Sequence, residues 1–136
     1  VAFNLTLFYA GLLGLILIGL SLQVVRLRRQ LGVGIGSGSQ PELERAIRAH
    51  ANFCEYAPLG AVLLLALEAS AGAPLVVLHL LGTALVLGRL LHGFFGLNRS
   101  AGVSKGRFIG TLLTWLMILA SSLLGLWIAL GRWLLA

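Results

Sequence analysis

The sequence predicts an all-α integral membrane protein, a four-transmembrane-helix bundle, and three observations carry that prediction. The first is composition. Of 136 residues, 59% are hydrophobic and 10% charged, with a mean hydropathy of +1.01. A soluble domain of this size cannot hide so much apolar surface, because small domains leave a large share of it exposed. The second is segmentation. Apolar runs cover residues 3–25, 46–69, 74–95 and 108–130, each near the ~20 residues a helix needs to cross a bilayer core. The third is where the charges lie. Arg26, Arg28, Arg29, Arg45 and Arg48 cluster about the first connection, and Arg99, Lys105 and Arg107 about the third. The turn Ala71-Gly72-Ala73-Pro74 has no positive charge, the N-terminus has none, and the C-terminal end has only Arg132.

By the positive-inside rule, the 26–45 and 97–107 connections are cytoplasmic and both termini face the opposite side. The net charge of +6 would suggest nucleic acid in a soluble domain. Here it marks topology and contacts with membrane lipids, so no nucleic-acid partner is expected. Compact length and short loops point to a bacterial inner membrane.

The helices are expected near 3–29, 41–70, 74–96 and 106–132, as one domain over residues 1–136. The first is rich in Leu and Gly and has no ionisable group before Arg26. It is too long for a removable signal peptide and lacks the basic residues that should precede one. Gly11, Gly14 and Gly19 offer small surfaces for close packing. The stretch L-G-V-G-I-G-S-G-S-Q that follows resembles a phosphate-cradling loop only in its glycines. A dinucleotide fingerprint would follow a strand, so a flexible connection is the reading. Ser39-Gln40-Pro41-Glu42 then reads as a capping box with an early proline, which opens the second helix. Pro58 falls inside that helix, where it frees a backbone carbonyl. Gly72 and Pro74 close it and open the third.

Within this apolar chain, E-R-A-I-R-A-H-A-N-F-C-E-Y-A-P over 44–58 is out of character. On a helical wheel Arg45, Arg48, Asn52, Glu55 and Tyr56 share an arc of about 100°, while His50 and Cys54 turn away. Glu55 lies about 20 Å along the axis from Glu42, well inside the apolar segment. A carboxylate at that depth needs a cationic partner. Arg48 is one candidate. Arg89 is another, from G-R-L-L-H on the third helix, where Arg89 and His92 are one turn apart on one face. A short turn makes helices two and three antiparallel, so both groups lie near the same membrane end. One reading is a buried Glu55–Arg89 pair that sets packing. The other is a ligand site, because an excess of cations around a cavity suits an anionic ligand whose carboxylates arginine grips bidentately. The lone Cys54 excludes an intrachain disulfide, and His50, His79 and His92 lack metal-binding spacing, so no metal is expected.

These residues carry a resemblance. R-A-H-A-N-F-C-E-Y-A-P followed by G-R-L-L-H, with V-R-L-R-R closing the first helix, resembles the MAPEG family (membrane-associated proteins in eicosanoid and glutathione metabolism). The likeness runs the whole chain, and its core pattern R-x-x-x-N-x-x-E-[YT]-x-P fixes five positions of one helix. It implies a homotrimer that binds glutathione as co-substrate between neighbouring subunits near the cytoplasmic side. Arg48, Asn52, Glu55 and Tyr56 match the glutathione-binding motif, Arg26 the basic residue closing helix one, and Arg89 and His92 the motif of helix three. His50 matches a position that touches the tripeptide in relatives. Arg107, at the start of helix four, matches the arginine that stabilises the glutathione thiolate, with Lys105 as its alternative. A cation there lowers the thiol pKa from about 8.5, and a pKa lower by one raises the thiolate fraction at neutral pH by up to about tenfold. Some eicosanoid-forming relatives carry Tyr where this chain has Gly96, which favours a less selective transferase of the bacterial or microsomal kind.

Three functions remain in view. One is a glutathione transferase in which the thiolate attacks a hydrophobic electrophile, with lipid hydroperoxide reduction as a companion activity. The second is a non-catalytic glutathione- or lipid-binding membrane protein. The third is a small multidrug-type transporter, which has four short helices and a buried Glu but would not place several arginines beside it.

Overall fold

The computed structural model describes residues 3–99 and 102–135. Residues 1, 2 and 136, at the chain ends expected opposite the arginine-rich connections, lie outside that range, as do positions 100 and 101 of the third connection. Four long helices follow one another: α1 (Asn4–Leu31), α2 (Pro41–Ser70), α3 (Leu75–Leu90) and α4 (Lys105–Leu135). α3 passes directly into a π-helical segment, Leu91–Leu97. Among the described residues there are four candidate membrane spans, with α3 and its extension counted together. The chain is an all-helical integral membrane protein.

A helix between lipid and protein needs only a narrow buried stripe. On α1 that stripe is Leu5, Tyr9, Leu13, Ile16, Leu20 and Leu27, at spacings of three, four and seven. The other faces expose Leu7, Leu15, Ile18 and Leu22, as a lipid solvent permits. α1 ends where Gly32 adopts φ +66° and its N–H bonds the Arg28 carbonyl, a left-handed cap that glycine adopts without strain. The Arg28 guanidinium then donates to Gly36 O at 2.9 Å and Val33 O at 3.3 Å. Arg28 therefore ties down the glycine-rich connection, beyond marking topology.

The second helix begins without the expected capping box. Gln40 occupies the N-cap position, no side chain caps it, and Pro41 follows in the first turn. Ser39 is one residue too early and has φ +60°. The first helical bond runs from Glu44 N to Gln40 O, so the Ser39–Glu42 spacing is out of register with the true start. α2 continues through Pro58 to Ser70 and closes at Ala71, which is left-handed with φ +52°.

Two contacts fix how the helices stand. At one end, the Glu68 carboxylate of α2 accepts the Leu5 and Thr6 N–H groups at 3.0 and 2.8 Å. Those donors have no partner inside α1, and a carboxylate at a helix N-terminus is favoured by the dipole. At the other end, α3 and its extension meet α4 backbone to backbone. A Cβ on Gly110 would lie 2.5 Å from His92 N, one on Gly106 2.7 Å from Phe95 O, and one on Gly96 2.9 Å from Arg107 Cα. Glycine is required at these three positions because the chains are too close for a side chain. That approach sets the levels of His92 and Arg107.

Candidate functional site: a polar cavity at the arginine-rich end

Arg89 organises this end of the bundle. It is 2% exposed, and a buried guanidinium must find acceptors. Its Nε donates to Thr114 Oγ1 at 3.0 Å, and its Nη1 to Asn52 Oδ1 at 2.8 Å and Asn52 O at 3.4 Å. Its charge lies 5.3 Å from the centre of the Tyr56 ring, within cation–π range. Thr114 in turn donates to Gly110 O at 2.8 Å. One side chain from α3 thus binds α2 and α4 together.

The network fixes Asn52. With Oδ1 on Arg89, its Nδ2 donates to Glu55 Oε2 at 3.4 Å. Glu55 Oε1 is 3.6 Å from Arg48 Nη2, and both side chains are about half exposed, at 50% and 53%. Glu55 therefore pairs with Arg48 on its own helix, two turns away. Arg89 serves Asn52, Thr114 and Tyr56, so a Glu55–Arg89 packing pair is not what holds the helices.

Beside this network is a cavity of about 260 Å³, lined by Glu44, Arg45, Arg48, Asn52, His92, Leu97 and Arg107. Arg107 reaches it from the first turn of α4. Its backbone N–H donates to Ser104 Oγ at 3.3 Å, an N-cap arrangement, and its guanidinium contacts Gly102 O at 3.5 Å. On its other side Arg107 borders a second cavity of about 340 Å³ on the outer face of α4, with Val103, Phe108, Thr111, Leu112 and Trp115. One wall of Arg107 is polar and the other apolar.

Four residues singled out from sequence thus come together in the polar cavity: Arg48, Asn52, His92 and Arg107. Glu55, Tyr56 and Arg89 stand beside or behind that wall and hold its residues. Arg26 lies elsewhere, in a separate cavity of about 380 Å³ with Gln23, Gln30, Glu42 and Phe94. His50 turns to α1, its Nε2 3.1 Å from Ser21 Oγ. Lys105 is exposed and lines neither cavity. Gly96 is no gap left by a missing tyrosine. Its contact with Arg107 Cα leaves α4 where a side chain would need to be.

Glu44 and Thr114 are candidate-site residues that the sequence pattern does not assign, whereas Arg45 stands on the polar stripe without being given a role of its own. A signal for Glu44 exists, since a wheel sets it about 20° from Glu55, but its place in the first turn of α2 reads equally as a dipole-favoured acid. For Thr114 there is none, because it sits in an unbroken apolar run.

Four candidate spans and a cavity lined by three arginines at one end of the bundle define a small integral membrane protein with a charged pocket. The MAPEG family model matches residues 6–127, and the chain belongs to that family. It is also similar to "Inner membrane protein YecN" of Escherichia coli, in strain K12 and in an O6:H1 strain. Each is 40% identical over 119 residues, 88% of this chain and 88% of the relative.

Proposed function

We propose that this protein is a membrane-bound glutathione transferase that activates glutathione as a thiolate for attack on hydrophobic electrophiles. The observation that carries the reading is Arg107, a cation shared by a polar cavity and an apolar groove. Membership of a family that includes glutathione transferases supports it. The polar cavity offers arginine to carboxylates, and Asn52 and His92 to amide and thiol groups. The groove on α4 offers a lipophilic molecule a path from the bilayer to the same guanidinium.

In this mechanism Arg107 favours loss of the thiol proton to water by stabilising the charge left on sulfur. The thiolate pair then forms a carbon–sulfur bond. A leaving group departs with its electron pair, or in an addition the carbanion takes a proton from water. With a lipid hydroperoxide, two glutathiones are oxidised to the disulfide while the peroxide becomes alcohol and water.

A cavity of about 260 Å³ is smaller than the ~300–1,000 Å³ usual for a ligand site. It is best read as half a site, completed in a homotrimer by the Arg26 and His50 that turn away from it within one chain. The arginine-rich connections then face the cytoplasm, in an inner membrane as the name of the relative suggests.

The test is conjugation of 1-chloro-2,4-dinitrobenzene by purified protein in detergent. Product should depend on glutathione, and Arg107→Ala should lower kcat by about tenfold or more. Saturable glutathione binding with no conjugate over a range of electrophiles would show a carrier instead.

A further inference from the structure

At the end of the bundle away from the arginine-rich connections, α2 and α4 leave a groove of about 220 Å³ between them. Its walls are apolar, with Leu63 and Leu67 on α2 and Ile128 on α4, and Arg132 stands at its mouth. On α4 the lining residues Ser121, Gly125, Ile128 and Arg132 fall at spacings of four, three and four, which is one helix face. From Ser121 to Arg132 that face runs about 16 Å, half of the ~30 Å hydrocarbon core and so the depth of one leaflet. Trp127 and Trp133 flank Arg132 in sequence and are 78% and 75% exposed. Exposed tryptophans near a helix end mark the headgroup level, so the cation sits where lipid phosphates lie.

Packing does not dictate the groove. Gly106 and Gly110 must be glycine because the backbone of the π-helical segment lies against them. A Cβ on Gly125 would meet nothing nearer than Leu67 Cδ2 at 3.9 Å, an ordinary contact. Glycine at 125 therefore leaves room that a larger residue would fill. Nor is the charge at the mouth neutralised. Arg132 donates to the Ser70 carbonyl, a neutral acceptor, and among the described residues no carboxylate pairs with it. The acid nearest in sequence to the α2 wall, Glu68, is held by the Leu5 and Thr6 N–H groups.

We propose that this groove seats one acyl chain of an anionic glycerophospholipid from the leaflet at that end, with the Arg132 guanidinium on its phosphate. The occupant must be apolar at depth and anionic at the mouth, and a guanidinium fork matches phosphate. A volume below the ~300–1,000 Å³ of a drug-sized site suits one chain, so the second chain stays in the bilayer. The bilayer itself supplies phosphate at the level of Arg132, which favours a phospholipid over a free anion or fatty acid.

The experiment photo-crosslinks the full-length protein in phosphatidylcholine vesicles with diazirine-tailed phosphatidylglycerol or diazirine-tailed phosphatidylcholine, and maps adducts by mass spectrometry. In wild type, adducts on residues 63–70 and 121–132 should favour the glycerol lipid by about tenfold, the scale of a charge-assisted contact. Unlabelled phosphatidylglycerol should compete, and equal concentrations of inorganic phosphate or oleate should not. Arg132→Gln should bring the preference to within about twofold, and Arg132→Lys should keep part of it. Gly125→Leu should remove the groove adducts of both lipids while those on the exposed Leu7 and Leu15 of α1 persist, which guards against a fold defect. Equal labelling by the two lipids in wild type, or a preference surviving in Arg132→Gln, would overturn the proposal. So would competition by phosphate or oleate, which would name a different anion. Groove segments left unlabelled while α1 is labelled would overturn it too, as the result expected if a second copy of the chain covers the groove.

Discussion

The two ends of the bundle use polar residues for opposite purposes. At the Glu68 end, polar groups mostly bond one another, although Thr6 Oγ1 and Ser121 Oγ are buried without a hydrogen-bond partner among the described residues. Glu68 takes two orphan N–H groups of α1, and the Tyr9 hydroxyl lies within 3.0 Å of His79 Nδ1 and His79 O and 2.9 Å from Thr83 Oγ1. The Arg132 guanidinium donates to the Ser70 carbonyl. The cavity beside that pair is lined mainly by apolar side chains, among them Leu63, Leu67 and Ile128. At the other end three arginines and one acid face an open space. The first arrangement closes a fold. The second lines a cavity with charged side chains, which makes the arginine-rich end the candidate site.

The strongest way to break this contrast is to remove the residue that belongs to both purposes. Arg89→Leu leaves Asn52 and Thr114 without their buried partner. We expect a loss of about 3 kcal/mol in stability together with loss of glutathione binding, measured by unfolding in mixed micelles and by calorimetry. Stability retained with binding lost would make Arg89 a ligand contact and not a scaffold.

Next in size is Gly110→Ala. Its Cβ would stand 2.5 Å from His92 N, so α4 must shift from the π-helical segment. Overpacking of this kind costs about 1–3 kcal/mol, and moving His92 relative to Arg107 should lower conjugation more than thermal stability. Unchanged activity would mean that the registry of the two helices is not what aligns the site.

The smallest effect sharpens the contrast from the other side. Tyr9→Phe deletes the hydroxyl at the closed end and should lower stability by about 1–2 kcal/mol with glutathione affinity and kcat unchanged. A change in affinity would show that the two ends communicate.

The fold was legible in the sequence to the extent that lipid dictates it. Four apolar runs and the charges between them have one physical solution, and the observed helices follow. Much of the candidate site was legible too, in that Arg48, Asn52, His92 and Arg107, picked out from sequence, line one cavity. What the sequence did not reveal depends on backbone. Glu68 sits in an apolar run, and its partners are the N–H groups of Leu5 and Thr6, more than sixty residues away and without side-chain signature. The π-helical turn at 91–97 and the glycines at 96, 106 and 110 concern how closely two chains approach, which composition does not encode. Ser39 failed as a cap because a left-handed residue and a following proline moved the helix start by one position. Glu44 was visible but ambiguous between a helix-terminal acid and a cavity wall.

The central claim is that Arg107 turns bound glutathione into a thiolate. A titration of purified protein with glutathione at neutral pH, following thiolate absorbance in the ultraviolet alongside calorimetric binding, probes it without an intermediate step. A saturable thiolate signal is expected in wild type. It should vanish in Arg48→Ala because binding is lost, and in Arg107→Ala although binding remains. Binding without thiolate in wild type, or an undiminished thiolate signal in Arg107→Ala, would refute the claim.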